Sequence, residues 1–73
     1  MTIQATKLEL LAKNIKKFRK LKGLSQNQLA ELLNISREHL AKIETTKRSI
    51  SLKLLFELAD VLNITLQELF TFD

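Results

Sequence analysis

The chain has no cysteine, no proline, no tryptophan and no tyrosine, and its 73 residues include one glycine and one histidine. Without cysteine, neither a disulfide bond nor a thiolate metal site can form. The single histidine, His39, supplies neither a histidine metal centre nor a catalytic triad, and no acidic pair marks a pocket-forming segment. We therefore expect no metal, no cofactor, no small-molecule ligand and no enzymatic activity.

Long apolar runs are absent as well. No apolar stretch approaches the roughly 18 residues that span a membrane, and the opening MTIQATKLEL lacks the apolar core of a signal peptide. Together with the missing cysteines, these absences predict a cytoplasmic protein that does not bind a membrane. Apolar residues make up 45% of the chain and charged residues 27%, which is typical of a folded domain. The length allows one such domain, over residues 1–73.

The charge is unevenly distributed along the chain. Residues 1–48 contain eleven Lys and Arg against four Glu, a net charge of +7, whereas residues 49–73 contain one Lys against four acidic residues, a net charge of −3. A basic half of this kind is typical of proteins that bind a polyanion such as nucleic acid. A basic surface that only contacts solvent would have the same net charge. The charge alone therefore does not show whether the protein binds a polyanion.

Leucine at helical spacing predicts an all-α domain of five short helices. No alternating run of β-branched or aromatic residues indicates a strand. The first helix is predicted over Lys7 to Leu21, after a flexible arm of residues 1–6. Its inward positions are Leu8, Leu11, Ile15 and Phe18. The inward positions of the fourth helix, which ends near residue 62, are Leu52, Leu55, Leu58, Ala59 and Leu62.

Short polar residues mark the ends of these helices. Hydroxyl side chains accept from free amides at a helix start, and a Gln or Glu three residues later completes a capping box. The predicted N-caps are Ser25, Ser36, Ser51 and Thr65, with boxes at the first and last of them. Glycine and asparagine adopt the left-handed conformation that ends a helix. The predicted helix ends of this kind are Gly23, Asn34 and Asn63.

The second and third helices are separated by only Asn34 and Ile35. Two short helices joined by a turn of three to four residues make a helix-turn-helix, whose second helix enters the DNA major groove. On the third helix, Leu40 and Ile43 mark the buried side. The outward or flanking side chains are Arg37, Glu38, His39, Ala41 and Lys42.

This outer face has two interpretations. Arg can contact guanine, Glu can accept from cytosine, and Lys can contact guanine or phosphate, so the face suits base recognition. Glu38 and Lys42 also stand four residues apart, in the order that favours a surface ion pair. The residue pattern by itself leaves base recognition and a solvated face open.

Two long stretches carry a family resemblance, IKKFRKLKGLSQNQLAELLNISREHLAKIE (residues 15–44) and KRSISLKLLFELADVLNITLQELF (residues 47–70). From Leu11 to Phe70 the chain resembles the Cro/repressor-type helix-turn-helix regulators, also called the XRE or lambda-repressor-like family. The resemblance implies a compact five-helix domain with the helix-turn-helix at helices two and three. It also implies a sequence-specific transcriptional regulator that binds double-stranded DNA through helix three and is associated with the nucleoid.

The resemblance further implies roles for individual residues. The positions that family members use against base edges are Ser36, Arg37, Glu38, His39 and Lys42. The positions that they use against phosphates are Ser25, Gln26 and Asn27 at the start of helix two, and Thr45, Lys47 and Arg48 after helix three. Arg19 and Glu44 match a structural ion pair that holds helix three against helix one.

We also expect a homodimer on a (pseudo)palindromic operator. One recognition helix reads about four to five base pairs, too few to select one site in a genome. The family solves this with two-fold dimers, whose recognition helices lie about 34 Å apart. The last 18 residues contain three of the four phenylalanines, more than so small a segment easily buries. The predicted dimer surface comprises Phe56, Leu69, Phe70 and Phe72, although Phe70 is expected mainly in the core of its own protomer.

Two contexts fit a regulator of this size, a phage-type repressor and the controller of a restriction–modification system. The alternative function is a protein-interaction module, such as an antitoxin whose main partner is a toxin protein. In that case Phe56 and Phe72 face another protein.

Overall fold

The computed structural model describes residues 3–45 and 49–72, and over these residues it consists of five α-helices without a strand. The helices are α1 (Ile3–Leu21), α2 (Gln26–Leu33), α3 (Arg37–Glu44), α4 (Leu52–Leu62) and α5 (Leu66–Leu69). The prediction of a five-helix all-α domain is confirmed. α1 contacts α3 and α5, and α4 contacts α2 and α5, so the helices enclose one core.

α1 begins at Ile3, four residues before the predicted start at Lys7. Residues 3–6 are therefore part of the helix rather than of the predicted flexible arm. These four positions contain neither glycine nor proline, so no helix-breaking residue prevents α1 from starting before Lys7.

The helix ends follow the polar residues that the sequence analysis identified. Asn34 and Asn63 have left-handed backbones, with φ angles of 59° and 55°, and Gly23 has a φ angle of 72°. The side chain of each predicted N-cap accepts from the amide three residues later. Both predicted capping boxes are present. These end contacts satisfy amides and carbonyls that have no partner within the helix.

The core is built mainly of leucine. The large side chains with no exposed surface are Ile15, Leu29, Leu40, Leu58, Leu62 and Leu69. Two positions that were predicted to face inward are exposed, Leu8 by 45% and Leu52 by 69%. Each lies before the buried residues Leu11 and Leu54 of its own helix. Helical spacing identifies an apolar face, but contact with other helices decides where along that face burial starts.

Asn14 of α1 is buried and holds the C-terminal end of the described chain. Its Nδ2 donates to the carbonyl oxygen of Leu69 at 2.8 Å and to that of Thr71 at 2.9 Å. These two bonds fix the path of the chain after α5. Nothing in the sequence analysis identified Asn14, because its partners lie 55 and 57 residues away along the chain.

The C-terminal aromatic residues correct the predicted dimer surface. Leu69 is fully buried in its own protomer and is not available to a partner. Phe70, expected mainly in the core, is 45% exposed, whereas Phe72, expected at the surface, packs partly against the core. α5 turns Leu69 inward, so the next residue points outward, and the Asn14 bonds bring Phe72 back over the core. The two rings meet edge to face, with centroids 6.4 Å apart.

Replacing Asn14 by alanine removes both hydrogen bonds and leaves two carbonyls without their donor. We expect the free energy of unfolding to fall by about 1–3 kcal/mol, measured by urea denaturation followed by circular dichroism. The control is Asn27→Ala on the exposed surface of α2, for which we expect a change within about 0.5 kcal/mol. Equal effects of the two substitutions would contradict the role assigned to Asn14.

Candidate nucleic-acid interface

A turn of three residues, Asn34 to Ser36, joins α2 to α3. The left-handed backbone of Asn34 reverses the chain, and the amide of Ile35 donates to the carbonyl of Ala30 at 3.0 Å. The Ser36 hydroxyl then accepts from the His39 amide at 3.0 Å, so α3 starts at once. α2 and α3 pack on each other across this turn, which is the arrangement of a helix-turn-helix.

The two sides of α3 have opposite character. Leu40 is 0% and Ile43 is 3% exposed, and both belong to the core. His39 and Ala41 are partly buried at the flanks. The exposed residues at the start and on the outer side of α3 are Ser36, Arg37, Glu38 and Lys42. The structure therefore brings the predicted base-reading residues together on one helix, away from the core.

The charged side chains of this outer side do not pair with one another. Across residues 3–45 and 49–72, the one ion pair is that between Arg19 and Glu44. Glu38 and Lys42 therefore form no bridge along α3, although their spacing permits one. Their charges, and that of Arg37, face the solvent and are accessible to an outside partner.

The start of α2 carries three of the predicted phosphate-binding residues. The Ser25 hydroxyl accepts from the Gln28 amide at 3.0 Å, and the Ser25 amide donates to Gln28 Oε1 at 2.8 Å. Asn27 is exposed and Gln26 is partly buried. The amides in the first turn of a helix lack partners within the helix and favour an anion. This end of α2 is therefore suited to a phosphate.

Thr45 caps the C-terminal end of α3. Its hydroxyl donates to the carbonyl of Ala41 at 2.9 Å and lies 3.3 Å from the carbonyl of Lys42. A phosphate oxygen only accepts hydrogen bonds, so a hydroxyl proton that is used on these carbonyls is not available to it. The structure thus gives Thr45 a capping role at the end of α3, and its predicted phosphate contact stays a prediction. The other two predicted contacts after α3, Lys47 and Arg48, lie outside the described residues.

A buried ion pair joins α1 to the end of α3. Arg19 Nε lies 2.7 Å from Glu44 Oε2, and Arg19 Nη2 donates to Glu44 Oε1 at 3.2 Å. The two side chains are 8% and 1% exposed. Arg19 Nη1 also donates to the carbonyl of Leu24 at 2.8 Å. The guanidinium group therefore holds both the end of α3 and the loop before α2.

Gln26 belongs to the same network. Its Nε2 donates to Glu44 Oε1 at 3.0 Å, which ties the first residue of α2 to the last residue of α3. One amide proton of Gln26 is used in this way, and the other remains for an outside acceptor. This link could not be predicted from the sequence, since the two residues are 18 positions apart and no local spacing connects them.

A two-helix unit with a three-residue turn, an apolar inner side and an unpaired charged outer side defines a DNA-binding helix-turn-helix domain. The helix-turn-helix family model HTH_3 matches residues 15–69 of the chain. The chain belongs to this Cro/C1-type, or XRE, helix-turn-helix family.

Similar proteins are regulators of the same type. The control protein C.SmaI of Serratia marcescens is 36% identical over 63 residues, which make up 86% of this chain and 75% of that protein. The crystal structure of the restriction-modification controller protein C.AhdI from Aeromonas hydrophila has a TM-score of 0.82 at 33% identity, over 88% of this chain and 97% of that one. The crystal structure of SinR, a master regulator for biofilm formation, in complex with DNA has a TM-score of 0.76 at 29% identity, over 84% of this chain and 98% of that one.

These comparisons confirm the family, the fold and the class of function that the sequence predicted. The chain is a DNA-binding helix-turn-helix transcriptional regulator, and its relatives are regulators rather than enzymes. The antitoxin alternative is not favoured. None of the described helices is long and apolar enough to cross a membrane.

Substituting alanine for Glu44 leaves the buried Arg19 guanidinium without a counter-charge. We expect the free energy of unfolding to fall by about 3–5 kcal/mol. The double variant Arg19→Met/Glu44→Leu removes both charges, and its free energy of unfolding is expected to lie close to that of the parent protein. Urea denaturation of the variants and the parent protein measures the difference. A double variant as unstable as Glu44→Ala would show that the unpaired charge is not the cause.

Proposed function

We propose that the protein is a sequence-specific homodimer that inserts α3 into the DNA major groove at a (pseudo)palindromic operator. The observation that carries this proposal is the outer side of α3, where Arg37, Glu38 and Lys42 are exposed and unpaired, opposite the buried Leu40 and Ile43. The major groove admits one α-helix and presents a distinct pattern of donors and acceptors for each base pair.

The side chains of this surface suit different bases. Arg37 can donate two hydrogen bonds to guanine, Glu38 can accept from the amino group of cytosine, and Lys42 can donate to guanine or to a phosphate. Ser36 and His39 lie beside them in the first turn of α3. The Ser36 hydroxyl accepts in the cap and keeps its own proton for donation to the DNA.

The start of α2 is proposed to hold a phosphate of the DNA backbone. The first-turn amides and the side chains of Gln26 and Asn27 are the donors, and Glu44 orients the Gln26 amide group. The Ser25 hydroxyl adds a third side-chain donor. Lys47 and Arg48 are proposed to contact further phosphates from the segment after α3. Such contacts fix the position of the protein on the duplex, whereas base contacts select the sequence.

The base-reading role of Arg37 predicts a loss of sequence preference when this side chain is removed. The operator is first obtained by in vitro selection from random duplex DNA, from which we expect a motif with two-fold symmetry. We expect Arg37→Ala to lose about 1–3 kcal/mol of discrimination at one base pair of each half-site. Fluorescence anisotropy with singly substituted duplexes measures this loss.

The control for this experiment is Lys17→Ala, which removes a positive charge from the exposed surface of α1 and is expected to keep the parent's base preference. If Arg37→Ala leaves both affinity and preference unchanged, the assignment of base reading to this residue is wrong.

The dimer is proposed to form through exposed apolar side chains of α4 and of the turn after α5. Leu52 is 69% and Phe56 is 49% exposed, one helical turn apart on α4, and Phe70 is 45% exposed. Exposed groups of large apolar side chains are typical of protein interaction sites. Leu52 thus joins the proposed surface, the buried Leu69 leaves it, and the partly buried Phe72 contributes only its exposed part.

Replacing Phe56 by serine is expected to make the protein monomeric at concentrations where the parent protein is a dimer. Operator affinity should fall about a hundredfold or more, because the two half-sites are no longer bound together. Analytical ultracentrifugation and anisotropy measure the two effects. The control is Leu32→Ser on α2, which removes an apolar side chain that is 59% exposed, and which we expect to leave the dimer intact. A Phe56→Ser protein that still sediments as a dimer would place the interface elsewhere.

The similarity to C.SmaI and C.AhdI favours the controller of a restriction–modification system as the biological context. We accordingly propose that the protein acts in the cytoplasm, on DNA of the nucleoid. The position of the selected motif in the genome that encodes the chain, beside restriction–modification genes or elsewhere, tests this context.

A further inference from the structure

Four lysines lie on the exposed side of α1, and none of them belongs to the site described above. They follow one another at steps of three, one and three residues, so helical periodicity places them on one side, opposite the buried Leu11 and Ile15. The lysines are Lys13, Lys16, Lys17 and Lys20.

Lys13 borders the end of α3. It lines a shallow surface cleft together with Glu9, Ala12, Glu44 and Thr45. Its side chain therefore lies at the boundary between α1 and the C-terminal end of the recognition helix.

Lys16 lies on the same flank of α1. A long side chain on a helix leans toward the N-terminus and covers the preceding turn, which for Lys16 contains Ala12 and Lys13. Three residues further along, Arg19 reaches Glu44 from this side of the helix. Lys13 and Lys16 therefore extend the charged surface from the end of α3 along α1.

Lys17 lies farther around the helix from Ala12 than the other three lysines do. It is about 140° from Ala12 around the helix axis, and its Nζ lies 5.2 Å from the centroid of the Phe18 ring. Lys17 is the same residue type on the same helix and is also exposed. It is therefore a control of the same residue type for Lys16, which lies about 100° away around the helix, whereas Lys13 is its neighbour on the helix surface.

The nearby acidic groups do not cancel the charge of this flank. Glu9 lies in the same cleft as Lys13, but no ion pair joins the two in the described structure. The other acidic residue of the cleft, Glu44, is paired with Arg19. The ammonium groups of Lys13 and Lys16 therefore outnumber the single unpaired carboxylate.

We propose that Lys13 and Lys16 bind phosphates of the DNA backbone next to the base pairs read by α3. This inference rests on the proposed function, because it assigns the flank of α1 to the same duplex. Phosphates recur along both strands, so a flexible ammonium group reaches one without a fixed geometry. The contacts add affinity to every sequence and do not discriminate between bases.

The test compares the salt dependence of DNA binding by Lys13→Gln, Lys16→Gln, their double variant and Lys17→Gln. Glutamine has nearly the helix propensity of lysine and removes the charge. Anisotropy titrations over a series of NaCl concentrations, with the selected operator and with an unrelated duplex, measure the slope of log affinity against log salt concentration. Each lost phosphate contact reduces the magnitude of this slope by about 0.9, so a homodimer loses about 1.8 for each lysine.

We expect the loss of slope to add in the double variant, with the ratio of operator to unrelated-duplex affinity unchanged. Lys13→Arg, which retains the charge, and Lys17→Gln should keep the parent's slope. A double variant with the parent's slope overturns the inference. A Lys17→Gln protein that loses as much slope as Lys16→Gln also overturns it, because net charge then explains the effect.

The proposed function is judged separately through Arg37→Ala. Altered base preference in that variant, together with an unchanged slope in the lysine variants, retains the function and rejects the contacts of α1. A parent protein that binds no duplex rejects both.

Discussion

The buried ion pair between Arg19 and Glu44 is the constraint on which the position of α3 depends. α3 has eight residues, of which Arg37, Glu38 and Lys42 are exposed, so the helix depends on its contacts with α1 and α2 for its position. The pair fastens the last residue of α3 to α1, while the Ser36 cap and the Asn34 turn hold its first residue against α2. With both ends held, the outward side chains are presented in one orientation before DNA binds, which lowers the entropic cost of binding.

The surroundings of this pair explain why buried charge is tolerated. Removing an ion from water costs several kcal/mol, and the cost is offset only when the remaining hydrogen-bonding groups are satisfied. Glu44 accepts from both Arg19 and Gln26, and Arg19 also donates to the Leu24 carbonyl. Among the described residues, no buried side-chain nitrogen or oxygen lacks a partner. The network therefore fixes the relative positions of α1, the start of α2 and the end of α3.

The parts of this structure that could be predicted have local causes. A cap contacts an amide three residues away, and the two sides of α3 follow from its helical period, so Asn34 and Leu40 were assigned correctly from their neighbours alone. Distant contacts leave no such pattern. The bonds of Asn14 to the carbonyls of Leu69 and Thr71, at and after the end of α5, help to decide which of Phe70 and Phe72 is exposed. These two phenylalanines were predicted the wrong way round. The partnership of Arg19 with Glu44 was implied by the family resemblance, since residues 25 positions apart have no spacing rule.

The division of α3 into a packed and an unpacked side has a consequence for the evolution of such regulators. Leu40 and Ile43 contribute the packing, whereas Arg37, Glu38 and Lys42 are held by no ion pair within the described chain. Substitutions at these three positions have little effect on stability, because they remove no buried contact. The outer side of α3 can therefore change in sequence after gene duplication while the scaffold still folds, and under the proposed function each such change alters the DNA target of one copy.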